Sequence, residues 1–152
     1  MARLIDSSAQ AAGRTRFDFD GDGKADLAVF TASNGNWSIR NSQTNLISNT
    51  QFGQSGDKTV AADFDDDGKT DLAVYRPAQG IWYLLRSTAG FVALQWGVAE
   101  DKPVPADYDG DGKADIAVRR QGIWHLLMSG QGYTSTAFGT VNAQAIAALP
   151  NQ

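Results

Sequence analysis

The aspartates of this chain recur at a spacing that suits the binding of a metal ion. A twelve-residue stretch that begins Asp-Phe-Asp-Gly-Asp-Gly occupies residues 18–29, and related stretches occupy 63–74 and 107–118. Their first aspartates lie 45 and then 44 residues apart. Every copy carries carboxylates at loop positions 1, 3, 5 and 9 and a glycine at position 6. So many oxygen ligands in one short loop suit calcium, which takes six to eight oxygens in flexible geometry.

The sequence therefore predicts three calcium sites, one in each loop. Magnesium fits less well, because it demands a stricter octahedron and keeps its waters. Each site is predicted to use the four carboxylates and the backbone carbonyl of the lysine at position 7. The candidate ligands are Asp18, Asp20, Asp22, Lys24 and Asp26 in the first loop, Asp63, Asp65, Asp67, Lys69 and Asp71 in the second, and Asp107, Asp109, Asp111, Lys113 and Asp115 in the third.

The loops begin like an EF-hand but end differently. Position 12 of an EF-hand is a bidentate glutamate, whereas the three copies end in Val29, Val74 and Val118. The alternative interpretation is an acidic, solvated turn that binds nothing. The distribution of charge favours a cation, because 13 of the 17 acidic residues lie in these three stretches. Like charges held this close repel one another unless a cation neutralises them.

Around each loop the sequence predicts four short strands. Four strands in about 44 residues are typical of a β-propeller blade. We therefore predict an all-β fold with a flexible lead at 1–13 and a unit at 14–148. That unit is predicted to hold three four-stranded blades and a final extra strand. The blades are expected at about 14–52, 59–96 and 103–138, with first strands at 14–19, 59–64 and 103–108, and the extra strand at 145–149.

Composition narrows the classes of function. There is no cysteine, one histidine (His125) and no Gly-x-Ser-x-Gly motif, so the sequence predicts that the protein is not an enzyme. The 13 lysines and arginines form no patch, which disfavours a nucleic-acid partner. No run of 18 apolar residues is present, so no membrane span is predicted. Residues 1–13 lack the apolar stretch of a signal peptide.

The repeats resemble the FG-GAP/VCBS family, whose calcium-loop blades also occur in integrin α-subunits. The resemblance lies in the Asp-x-Asp-x-Asp-Gly-x-x-Asp loops and in the Phe-Gly steps at 52–53 and 138–139, and it covers about residues 14–148. At Trp96 a tryptophan replaces the phenylalanine. The resemblance is closest to bacterial secreted proteins. It implies a parent protein that is secreted, extracellular or periplasmic, with a role such as adhesion or lectin activity.

We therefore expect a non-catalytic, calcium-binding propeller module that recognises a protein or a glycan. One alternative is a calcium-dependent carbohydrate-binding lectin, and a second is an engineered or excised propeller fragment that self-assembles. Propellers have four to eight blades, so three blades are expected to close a ring only by oligomerisation. A homodimer would give a six-bladed ring with two-fold symmetry, the commonest oligomer symmetry.

Overall fold

Short strands joined by glycine-rich turns build three antiparallel sheets. The computed structural model describes residues 15–146, and over that range it contains eleven strands and no helix. More buried and less buried residues alternate along several of them, as expected for strands with two different faces. The strands are β1 Leu27–Thr31, β2 Asn36–Arg40, β3 Ile47–Gln51, β4 Lys58–Thr59, β5 Leu72–Arg76, β6 Ile81–Arg86, β7 Gly90–Gln95, β8 Lys102–Pro103, β9 Ile116–Arg120, β10 Ile123–Met128 and β11 Gly132–Ala137.

Each sheet is a meander in which neighbours along the chain pair with one another. The strand orders are β1-β2-β3, β4-β5-β6-β7 and β8-β9-β10-β11. All pairs are antiparallel. The prediction of an all-β fold of propeller-type blades is therefore confirmed, and the three sheets are open rather than closed into a ring within one chain.

The first blade departs from the prediction of four strands. The strand predicted at 14–19 is not formed over residues 15–19, which lie in turns. Phe17 has a φ of 63°, and a phenylalanine in the left-handed region cannot continue a pleated strand. The residues that correspond to β4 and β8 are 13 and 14, which lie outside the described residues, as does the predicted lead at 1–13.

The predicted final strand at 145–149 is only partly within the described range. Residues 145 and 146 are not in a strand, and residues 147–149 lie outside the described residues. The turn that precedes this segment is nonetheless like the two earlier connections, because Ala143 donates its N–H to the carbonyl of Thr140 at 3.0 Å, as Asp101 does to Val98.

Side chains between neighbouring sheets form the core. The first interface buries Trp37, Ala61 and Val74. The larger second interface buries Val60, Phe64, Ala73, Tyr75, Trp82, Leu84, Ile116 and Val118. Trp82 is fully buried and Trp37 nearly so, so both tryptophans pack in the core. Their indole N–H groups donate to the carbonyls of Trp96 and Phe52 at 2.9 and 2.8 Å.

Backbone hydrogen bonds between blades align the three acidic loops. The N–H of Thr70, at position 8 of the second loop, donates to the carbonyl of Asp18 in the first loop at 2.6 Å. The N–H of Ala114, at position 8 of the third loop, donates in the same way to the carbonyl of Asp63 at 2.7 Å. Because this bond repeats, the loops lie side by side at the same position on successive blades.

Candidate metal centres

The aspartate at position 1 organises each loop. In the first loop, Gly21 donates its N–H to one carboxylate oxygen of Asp18 at 2.6 Å, and Gly23 donates to the other at 2.8 Å. Asp63 and Asp107 accept the corresponding N–H groups at 2.6–3.0 Å. A carboxylate has about four acceptor positions, so these side chains fold the loop and keep lone pairs for a cation.

The aspartate at position 9 ties the loop to the rest of its sheet. Asp71 accepts the N–H of Phe64 at 2.8 Å with one oxygen and the N–H of Ser87 at 2.8 Å with the other. Asp26 and Asp115 make the same pair of bonds at 2.7 Å. All three side chains are buried. Burial raises the pKa of Asp71 to about 6, although its backbone hydrogen bonds act in the opposite direction.

A second turn contacts each acidic loop and was not predicted from the sequence. It follows β2, β6 or β10 and places a serine beside the position-5 aspartate. Ser42 donates to Asp22 at 3.1 Å and Ser129 to Asp111 at 2.6 Å; Ser87 makes the same bond to Asp67. The recurrence of this serine 24, 24 and 22 residues after the first aspartate is the signal that could have identified it.

These serines also explain the electrostatics at position 5. The Ser129 hydroxyl and the N–H of Lys113 hold the pKa of Asp111 below its usual value. At Asp67, burial acts to raise the pKa, but hydrogen bonds from Ser87 and Thr88 outweigh it and leave the pKa lowered. The lowered pKa favours the ionised form of Asp67 and Asp111.

Three carboxylates converge in every loop. The groups are Asp18, Asp20 and Asp22; Asp63, Asp65 and Asp71; and Asp107, Asp109 and Asp115. Within each group, one oxygen per residue lies within 4.8 Å of the others. The fourth predicted carboxylate of each loop lies outside its group. These are Asp26, which accepts two backbone N–H groups, and Asp67 and Asp111, which accept hydroxyls.

The position-7 lysines take part through their backbone. The N–H of Lys24 donates to Asp22 at 2.8 Å, and Lys69 and Lys113 repeat this bond to Asp67 and Asp111. Their carbonyls remain predicted ligands.

The converging groups fit a cation. One oxygen of Asp20 and one of Asp65 are buried without a hydrogen-bond partner. A buried carboxylate oxygen that has neither a donor nor a cation is costly. Both residues occupy position 3, and each belongs to a converging group. In the third loop the equivalent Asp109 accepts N–H groups from Asp111 and Gly130 at 3.2 and 2.9 Å. Support for a bound cation is therefore weaker in the third loop than in the first two.

A separate cleft of about 490 Å³ lies where the second and third blades meet. It is lined by Trp96, Arg120, His125 and Tyr133, among others. The rings of Trp96 and Tyr133 meet edge to face at 5.3 Å, and the Tyr133 hydroxyl lies 3.3 Å from Nδ1 of His125. The indole N–H of Trp96 is buried without a partner.

Comparisons with known proteins support the repeat assignment. A family model described as FG-GAP-like repeat matches residues 18–74 and again residues 63–118. Neither a curated protein nor a solved structure gives a significant match to the sequence. The described residues contain no helix long and apolar enough to cross a membrane.

Proposed function

Because this chain belongs to the FG-GAP-like repeat family, we propose that it is a calcium-binding β-propeller module that serves as a scaffold for recognition or adhesion and has no catalytic activity. One observation carries the calcium assignment: three carboxylates converge in each of the three loops. The unsatisfied buried oxygens of Asp20 and Asp65 support it. Calcium at these sites would supply positive charge, and the carboxylate oxygens of each loop would coordinate it.

The protein's own residues determine what an ion would stabilise. Asp63 is bonded to the loop backbone, whereas Asp65 accepts the N–H groups of Thr88 and Ala89 from the second turn at 2.9 and 2.8 Å. An ion held between these two carboxylates would link two segments more than twenty residues apart along the chain. Because binding favours the folded state alone, its free energy adds to the stability of the blade.

We also propose that the module works outside the cytoplasm, where calcium is abundant, and that it associates with further copies of itself. Extracellular calcium modules have dissociation constants of about 10⁻⁴–10⁻³ M. Sites of this class would stay filled in an extracellular medium and empty in the cytoplasm.

Calcium titration of the purified protein tests the main proposal. Isothermal calorimetry should show binding of calcium, and the unfolding temperature should rise with calcium but much less with magnesium. Asp65→Asn should weaken binding in the second loop. Glu100→Gln, which removes one charge from an exposed side chain outside the loops, should bind calcium like the parent. Absence of calcium binding at millimolar concentration would refute the proposal.

A glycan ligand is the second candidate, and the cleft at Trp96 favours it. Aromatic rings beside hydrogen-bonding side chains suit a sugar, because the rings contact its apolar face and the polar groups bind its hydroxyls. A glycan array should then give hits that Trp96→Ala abolishes and that Trp124→Ala, the same change in β10 outside the cleft lining, retains. An array without hits would remove this candidate and leave the calcium proposal intact.

A further inference from the structure

We propose that the three acidic loops are unequal calcium sites, that the first loop binds calcium most tightly, and that Asn41 is the residue responsible. This inference rests on the calcium binding of the proposed function, and it concerns the second turn of each blade. The second turns comprise residues 42–45, 87–89 and 129–131.

The carboxylates that converge differ between the loops. They come from positions 1, 3 and 5 in the first loop but from positions 1, 3 and 9 in the second and third. The position-1 aspartates accept N–H groups of their own loops in all three copies, and the position-9 aspartates accept the same pair of N–H groups throughout. The difference therefore arises at positions 3 and 5, where the loop meets the second turn.

Hydroxyl groups of the second turn hold the position-5 aspartate in two of the loops. The bonds run to Asp67 from Ser87 and from Thr88 (2.6 Å), and to Asp111 from Ser129 (2.6 Å). In the first loop, Ser42 donates to Asp22 at the longer distance of 3.1 Å, and residue 43 is a glutamine without a hydroxyl. A donated hydroxyl occupies a lone pair and fixes the direction of the carboxylate. Asp22 is held least firmly, and it is the position-5 aspartate that joins its converging group.

Backbone N–H groups of the second turn bind the position-3 aspartate of the same two loops. Asp65 accepts those of Thr88 and Ala89 at 2.9 and 2.8 Å, and Asp109 accepts one such group at 2.9 Å. Within the described residues, Asp20 accepts no N–H from its second turn and keeps one buried oxygen without a partner. The first loop thus presents its position-3 carboxylate without competition from that turn.

Asn41 accounts for this difference. Its side-chain oxygen accepts the N–H groups of Gln43 and Thr44 at 2.9 and 2.8 Å, and these correspond to the groups that bind the position-3 aspartate in the second loop. An asparagine folds a turn in this way because its side chain accepts N–H groups of the residues that follow it. The strand register places Arg86 and Met128 at the equivalent position, and neither side chain carries a strong acceptor.

Calcium binding should therefore be more favourable at the first loop. A cation at the second or third loop must compete with hydroxyl and N–H donors of the second turn for carboxylate lone pairs. At the first loop the equivalent N–H groups already have an acceptor in Asn41. One charge-assisted hydrogen bond corresponds to about a tenfold change in affinity, so we expect the first loop to bind calcium about tenfold more tightly than the others.

Isothermal calorimetry on the full chain measures the order of the sites. The parent protein should bind calcium in two phases, with one site in the tight phase. Asp20→Asn should remove the tight phase, whereas Asp65→Asn and Asp109→Asn should each remove a site from the weak phase.

Asn41→Ala identifies the determinant. It removes the acceptor and leaves the length of the turn unchanged, so the released N–H groups can donate to Asp20 and the tight site should weaken by about tenfold. Asn41→Ser, whose hydroxyl can accept the same N–H groups, should retain the tight site. Asn49→Ala is the matched control and should leave both phases unchanged, because Asn49 is exposed in β3 and its bonds run to β2 and not to an acidic loop.

Thr88→Val tests the competition in the second loop and should produce a gain. The change keeps the size of the side chain and the backbone N–H but removes the hydroxyl that holds Asp67. In a protein that carries Asp20→Asn and Asp109→Asn, and so has only the second loop intact, it should raise the calcium affinity severalfold. Thr134→Val, at an exposed threonine of β11, should have no such effect. A gain of affinity cannot result from damage to the fold.

Three equal sites in the parent protein would overturn the inference, as would a tight phase that Asp20→Asn leaves in place or that Asn41→Ala leaves at its original affinity. Unchanged affinity in Thr88→Val would overturn the competition on which the inference depends. In each of these cases calcium still binds and the proposed function stands. A parent protein that binds no calcium would refute the proposed function, and this inference with it.

Discussion

Asp65 and Asp71 lie in the same loop, but asparagine substitution should destabilise the protein at Asp71 with or without calcium and at Asp65 chiefly in calcium. Asp71 is 1% exposed, and its two oxygens accept backbone N–H groups from Phe64 and Ser87. An asparagine has one oxygen and one NH₂ group, so either orientation sets a donor against a donor. Asp65 has one oxygen bonded to the second turn and one buried oxygen without a partner, so an amide there loses less in the metal-free protein.

The expected magnitudes follow from these contacts. Asp71→Asn leaves one buried N–H unsatisfied, which costs about 1–3 kcal/mol, and weakens charge-assisted bonds, for a total of about 2–4 kcal/mol. This loss should appear with calcium and with chelator. Asp65→Asn should lose little in chelator. In calcium it should lose most of the linkage free energy of one site, which is about 2.7 kcal/mol at a hundredfold excess over Kd.

Urea unfolding at pH 7.5, monitored by tryptophan fluorescence with calcium and with chelator, measures both effects. Glu100→Gln is the control for loss of one negative charge outside the loops, and it should behave like the parent in both media. If Asp71→Asn matches the parent in chelator, position 9 does not hold the loop backbone together. If Asp65→Asn loses equal stability in both media, position 3 is not a calcium ligand.

Three further predictions concern pH, backbone conformation and a buried ion pair. The folded-state pKa of Asp71 is raised from 3.8 to about 6. In chelator, its contribution to stability is therefore present below pH 3.8 and is lost as the pH rises through 6. Thermal unfolding in calcium should show the opposite trend, because calcium binding needs ionised carboxylates. Gly80→Ala should destabilise the protein more than Gly90→Ala in urea unfolding. Both glycines have positive φ, so alanine costs roughly 1–2 kcal/mol of backbone strain at either position, but a Cβ at Gly80 would also overlap a backbone carbonyl whereas Gly90 faces open space. Equal losses would show that this carbonyl moves freely. Asp57→Asn should destabilise the protein by about 2–4 kcal/mol, somewhat less than breaking a fully buried pair, because Arg76 keeps 18% of its side chain exposed. Raising the salt concentration should not reproduce this loss, because the Asp57 side chain is buried.

The repeat and the local chemistry of its loops could be predicted from the sequence. The spacing of aspartates and the glycine at position 6 are local features, and they located the three loops correctly because a turn depends on residues close together along the chain. The same holds for the strands, since four were predicted around each loop and the sheets of the second and third blades each contain four. Predicted ligands such as the lysine carbonyls remain predictions.

The stacking of the sheets sets the environment of equivalent residues. Leu27 and Leu72 occupy the same repeat position, yet Leu27 is exposed and Leu72 is partly buried, because Leu72 packs against the cluster that contains Trp37 of the first sheet. The serine turns and the Arg76–Asp57 pair were not predicted from the sequence, since their partners lie 18 to 20 residues apart and meet only when the strands pair. Burial and hydrogen bonding between distant segments depend on how the sheets stack, and no single repeat encodes that arrangement.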